Sequence, residues 1–204
     1  MESAHHRSQL ERLTFFSDAV FAIAMTLLVI EVKVPEIHAL SDRQLGQALL
    51  AQFPKYVGFV ISFIVVARFW VGHHRVMGLL KATSPRLIWA NLIFLLVIAF
   101  MPFPTAVLSE YVELRVAVGL YAGWLMLLGL ANRWVIRTAL KDPALMRDDA
   151  DPGERRAILR ASWISPGIGA LAFAVGMIEP LAAPVALVLG SVVIGAGLRR
   201  IMPD

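Results

Sequence analysis

Residues 12–35 read RLTFFSDAVFAIAMTLLVIEVKVP, and this stretch decides the fold. From Phe15 to Val34 its only charged residues are Asp18 near one end and Glu31 and Lys33 near the other. A helix of roughly 17–25 such residues crosses the hydrocarbon core of a bilayer. Working outward, five more runs have the length and character of spans, so the predicted set is about 15–34, 53–72, 87–108, 114–136, 158–178 and 181–198. The second run carries Arg68, and the last two are rich in Gly, Ala and Pro, residues common where membrane helices pack closely. Residues 141–156, KDPALMRDDADPGERR, form the only long polar loop, and its two Asp-Pro steps mark turns. The polar residues before the first run show no short apolar segment followed by a small-residue cleavage site, so no removable leader is expected. The expected class is an all-α membrane protein, one domain over 1–204, with six transmembrane helices.

Composition agrees. Hydrophobic residues make up 58% of the chain and charged residues 17%, whereas soluble domains carry about a quarter charged. Mean hydropathy is +0.71. No cysteine is present, which excludes disulfides, thiolate metal sites and cysteine nucleophiles. The formal charge is +4, yet its distribution tracks the spans and not a nucleic-acid surface. Fourteen of the Lys and Arg residues, from Arg7 and Arg12 to Arg199 and Arg200, fall on one side of the predicted spans. Only Lys33, Arg43, Lys55 and Arg115 fall on the other. The positive-inside rule then places both termini and the 141–156 loop in the cytoplasm. No basic stripe with interleaved aromatics is present, so no nucleic-acid partner is expected.

Catalytic chemistry is missing from the pattern. His73 and His74 are adjacent, so on a helix they diverge by about 100° and do not grip one metal together. No His-Glu-x-x-His, Gly-x-Ser-x-Gly or phosphate-cradling glycine loop occurs. Neither an enzyme nor a resident metal or cofactor is expected. The centres of the spans hold almost none of the ionisable groups a transporter uses at mid-membrane depth.

On a helical wheel with Ile23 at zero, Leu27 falls near about +40°, Ile30 near about −20° and Phe16 near about +20°. Thr26 lies on the flank near about −60°, and Asp18 near about −140°, roughly opposite. The helix therefore carries a bulky apolar stripe on one face and a carboxylate on the other. A carboxylate near the edge of a membrane costs a few kcal/mol unless it is paired or solvated. The topology brings partners to its depth: Arg12 and Ser17 on the first span, Trp70, His73 and His74 on the second, and Asn91 one turn into the third. The expected arrangement is a polar layer joining three helices, with Trp70 and His74 on one face because they are four apart.

These residues also carry a family resemblance. Arg12-x-x-x-Phe16-Ser17-Asp18 is similar to the RxxxFSD signature of the transmembrane protein 175 family of potassium channels, in its single-repeat bacterial form. Phe69-Trp70-Val-Gly-His73-His74-Arg75, Asn91-Leu-Ile-Phe94-Leu and Met101-Pro102-Phe103-Pro104-Thr105 continue the likeness on the next two spans. It covers roughly the first half of the chain; beyond it only hydropathy and length agree. The resemblance implies a homotetramer in a bacterial plasma membrane, with a pore formed by the first helix of each subunit and potassium as the permeant ion. It implies a constriction at Ile23, Leu27 and Ile30, a potassium preference involving Thr26, and a bracing network of Arg12, Phe16, Ser17, Asp18, Trp70, His73, His74 and Asn91. No TVGYG-like loop occurs, so no carbonyl filter is expected. Two other readings stay open on the residues alone: a secondary or proton-coupled transporter using Asp18 with His73 and His74, and a non-conducting membrane scaffold.

Overall fold

A computed structural model describes residues 2–37 and 41–182. The elements are helices: α1 (Glu2–Leu27), α2 (Asp42–Ala51), α3 (Phe53–Gly78), α4 (Pro85–Ala99), α5 (Pro102–Glu110), α6 (Arg115–Lys141), α7 (Pro152–Ala161) and α8 (Ile164–Ile178). Short 3-10 turns cover Leu28–Glu31 and Pro143–Leu145. Five stretches of the described residues are long and apolar enough to cross a membrane: Ser8–Glu31, Phe53–Gly78, Pro85–Glu110, Arg115–Lys141 and Pro152–Ile178. The sixth expected span, 181–198, lies outside the described residues apart from its first two positions.

Local chemistry explains where the helices begin. Ser84 accepts the Leu87 N–H and Asp151 accepts those of Gly153 and Glu154, each just ahead of a proline that needs no partner for a missing N–H. Ser41 caps α2 through the Gln44 N–H. That short helix has no buried residue and was not foreseen in the connection between the first two spans.

The predicted spans differ from the observed helices in instructive ways. The first helix starts at Glu2, because nothing in the polar stretch before Phe15 stops helix propagation. It ends earlier, at Leu27, and tightens into the 3-10 turn. The third span is two helices. Pro102 and Pro104 lack the N–H groups that would continue α4, so Met101 N–H turns to the Ile98 carbonyl at 3.0 Å and Phe103 N–H to the Phe100 carbonyl at 3.1 Å. The fifth span likewise divides into α7 and α8 around Ser162 and Trp163. There Arg133 of α6 donates to the Leu159 carbonyl (3.2 Å) and the Ser162 hydroxyl (2.6 Å), and its guanidinium lies 3.9 Å from the centre of the Trp163 ring.

Helix α6 is the spine, packed against α3, α4, α5, α7 and α8. Its seam with α8 depends on two glycines. A Cβ at Gly129 would stand 2.6 Å from the Pro166 nitrogen, and one at Gly169 would stand 2.6 Å from the Met126 nitrogen. Both obstructions are backbone, which has no rotamer to escape into, so only glycine lets the helices approach this closely. Gly167, on the same helix as Gly169, has nothing within 4 Å of its ideal Cβ. Gly169→Ala should therefore lower the melting temperature in detergent by several degrees, an overpacking cost of roughly 1–3 kcal/mol, while Gly167→Ala should leave it unchanged or slightly raised; equal effects in a thermal-shift measurement would contradict this seam.

Candidate functional site

Helix α1 has two faces of opposite character. Leu10, Leu13, Ser17, Phe21, Ala24 and Leu28 recur every three or four residues and are buried within the subunit. The opposite face is bulky, apolar and uncovered in the single chain: Ile23 is 57% exposed, Leu27 40% and Ile30 59%, and Phe16 stands on the same side at 52%. A column of large apolar side chains left bare along one helix of a membrane protein faces either lipid or another chain. The 3-10 turn sharpens its alignment. At about three residues per turn, Ile30 stands almost directly beyond Leu27, where a continuous α-helix would have rotated it about 60° away.

Thr26 lies exposed on the flank of this column. Its hydroxyl donates to the Ile23 carbonyl at 2.8 Å. The proton is thereby committed to the backbone, and the remaining lone pair of the oxygen faces outward as an acceptor.

Behind the column the polar residues form two arms. In the first, Asn91 of α4 joins α1 and α3. Its amide nitrogen donates to Ser17 Oγ at 2.9 Å, and its carbonyl oxygen lies 2.8 Å from His73 Nε2. Ser17 in turn donates to the Leu13 carbonyl at 2.8 Å. This bookkeeping fixes the histidine: an amide oxygen only accepts, so Nε2 carries the proton in that contact. His73 Nδ1 is buried without a partner, and the ring lies between Phe21 (centroids 5.6 Å apart) and Phe94 (5.9 Å, stacked). Ser17, His73 and Asn91 are all fully buried. The second arm lies toward the surface, where the Trp70 indole N–H donates to Asp18 Oδ1 at 2.8 Å and His74 sits 5.7 Å from the Trp70 ring.

The residues expected in one layer are thus divided. Ser17, His73 and Asn91 meet in the interior, and Asp18, Trp70 and His74 meet beside it. Asp18 is bonded to the indole and to neither histidine in these contacts. Arg12 is exposed, and Phe16 points with Ile23 away from both arms. Among the described residues no group of three or more His, Asp or Glu side chains is placed to hold a metal ion.

Two features escaped sequence reasoning. Phe21 and Phe94 enclose the histidine, and Ser62, Thr105 and Tyr121 form a buried hydroxyl cluster elsewhere in the bundle. Polar residues inside apolar runs were the available signal. What they paired with, across 59 positions of sequence for Ser62 and Tyr121, was not.

Comparison with known proteins fits this geometry. The profile of the family described as endosomal/lysosomal potassium channel TMEM175 matches residues 12–102, which hold every side chain of the two polar arms. A potassium channel of Chamaesiphon minutus is 36% identical over 182 residues, 88% of this chain and 90% of the relative. A potassium channel of Streptomyces collinus is 44% identical over 102 residues, 50% of this chain and 48% of its own. The crystal structure of a lysosomal potassium-selective channel TMEM175 homolog from Chamaesiphon minutus superposes with a TM-score of 0.81 at 34% identity, covering 94% of this chain and 98% of that one. This integral membrane protein belongs to the TMEM175 family, a family of ion channels and not of enzymes.

Proposed function

We propose that the chain is one subunit of a homotetrameric potassium-selective channel whose pore is lined by α1 of each subunit. In this reading there are six spans, the sixth over about 181–198, and both termini face the cytoplasm of a bacterial cell. The observation that carries it is the bare Ile23–Leu27–Ile30 column, set opposite the buried face that holds α1 to its own subunit. Four such columns facing one axis would cover one another and leave a narrow apolar passage. Naming as potassium channels of the two bacterial relatives supports the choice of ion.

The mechanism follows from hydration. A narrow apolar ring offers nothing to replace a lost water shell, so an entering ion must deform or shed water. Potassium holds its water less tightly than sodium and meets the smaller penalty. A wider ring would admit both ions, and a tighter one would dewet and close. Ile23 is the barrier in this account, and the Thr26 oxygen beside it supplies an acceptor that an ion or its water can use. The transporter reading needs Asp18 to exchange protons with His73 or His74, and in these contacts Asp18 is bonded to Trp70 and His73 to Asn91, which gives that reading no direct support.

Replacing Ile23 by Asn places polar groups in the ring, so Ile23→Asn should raise potassium flux into proteoliposomes several-fold and lower the potassium-over-sodium ratio. Unchanged flux and ratio would remove Ile23 from the pore. The bracing arm has its own test. Asn91→Leu keeps the volume but strands the His73 Nε2–H in an apolar interior, at about 1–3 kcal/mol for the buried donor left unpaired. It also cuts α1 loose from α4, since Ser17 Oγ then keeps only its bond to the Leu13 carbonyl of its own helix. We expect a lowered melting temperature and loss of the oligomer on size-exclusion chromatography, whereas a variant as stable and as oligomeric as the parent would show that the arm does not hold α1.

A further inference from the structure

The stretch that most needs an explanation lies away from the two arms, where α4 breaks into α5. Pro102 cannot donate, and Met101 N–H has turned to Ile98, so the Val97 carbonyl loses its normal helical partner. It is not left bare: the Trp124 indole N–H of α6 donates to it at 3.0 Å. The same indole packs on Phe100, with centroids 4.8 Å apart, at the break itself. One side of the break is thus pinned to α6.

The other side is pinned by hydroxyls. Thr105 Oγ1 of α5 lies 2.9 Å from Ser62 Oγ of α3 and 2.9 Å from the Met101 carbonyl. Ser62 Oγ lies 2.9 Å from the Tyr121 hydroxyl of α6. Three hydroxyl protons serve three contacts, and the carbonyl ends the chain, so no donor is wasted. All three side chains are fully buried. At its far end α5 is tied again to α3 by Lys55 and Glu110, paired at 2.8 Å.

A helix of nine residues with two prolines has little hold on its own position. These links fix it instead, and what it touches matters: the Leu28–Glu31 turn packs against α3 and α5, with Leu28 wholly buried. That turn carries Ile30 and directly follows Leu27.

We propose that α5 is a positioning segment for the pore helix: the Ser62–Thr105–Tyr121 hydroxyl cluster, with Trp124 on the Val97 carbonyl, sets where the Leu28–Glu31 turn stands and so how wide the apolar passage is at Leu27 and Ile30. The proposal rests on the reading of α1 as the pore helix. None of these side chains lies on the column; they act through α5 on the turn.

The test pairs two readouts in a chain that has no cysteine of its own. In the first, reversal potentials of proteoliposomes give the potassium-over-sodium ratio for Thr105→Val, Tyr121→Phe and Thr105→Ser. The valine is near-isosteric but has no hydroxyl, the phenylalanine keeps the ring, and the serine keeps the hydrogen bonds. In the second, a spin label on Val29→Cys, an exposed position of the turn, reports inter-subunit distances in the purified oligomer without requiring conduction. Thr105→Val and Tyr121→Phe should assemble, lower the ratio several-fold, and shift or broaden the distances, while Thr105→Ser should match the parent in both. Parent-like distances in Thr105→Val and Tyr121→Phe would overturn the proposal. So would failure of both variants to assemble, since the hydroxyls would then be structural only. A parent protein that passes no potassium would instead sink the pore reading, and the distances would still decide whether α5 positions the turn.

Discussion

Asn91 is the side chain on which the rest of the arrangement depends. One amide satisfies Ser17 of α1 and His73 of α3 at once, in an interior where neither could find water. An apolar contact tolerates a small rotation of one helix against another; an amide bonded at both ends does not, because a slip leaves the His73 Nε2–H unpaired and takes from Ser17 Oγ the bond it accepts. The cost of losing those bonds fixes which face of α1 turns inward. Once Ser17, Phe21, Ala24 and Leu28 face the subunit, Ile23, Leu27 and Ile30 have nowhere to point but out. Bulky apolar side chains could bury themselves almost anywhere in this bundle. The polar arm is what keeps them from doing so.

The same division of labour recurs elsewhere in the bundle. Buried polar contacts fix register, and apolar contacts supply bulk. Glycine lets α6 and α8 close their seam, and Arg133 holds the α7–α8 bend by taking the Leu159 carbonyl and stacking on Trp163. At the α4–α5 break Trp124 takes a carbonyl that proline has orphaned. The breaks between α4 and α5 and between α7 and α8 leave backbone groups that lipid cannot satisfy, and each of these two is answered by one long side chain from α6.

Much of this was legible in the sequence because membranes enforce simple rules. Of the six spans expected from length and hydropathy, five fall on described stretches long and apolar enough to cross a membrane, and an unbroken 100° wheel already separated Ile23 and Leu27 from Asp18. The boundaries were less legible. Hydropathy measures where lipid can be, not where a helix starts, so α1 extends thirteen residues before Phe15, through Glu2. The breaks at Pro102 and Trp163 were hidden inside continuous apolar runs. The polar layer was half legible: depth put Asp18, the histidines and Asn91 together, but only geometry shows that Asp18 goes to Trp70 and Asn91 to Ser17. The hydroxyl cluster was invisible for a plain reason. Ser62, Thr105 and Tyr121 carry no charge, only Thr105 falls within a quoted motif, and their meaning lies in partners distant along the chain.

The central claim is that the exposed column of α1 lines the path of the ion. The chain's lack of cysteine allows a direct measurement: single replacements Ile23→Cys on the column and Ala24→Cys on the buried face, with thiol-reactive silver ions added during potassium flux. The account predicts that silver blocks flux through Ile23→Cys and leaves Ala24→Cys conducting. Flux through Ile23→Cys that silver does not touch, or equal block at both positions, would contradict it.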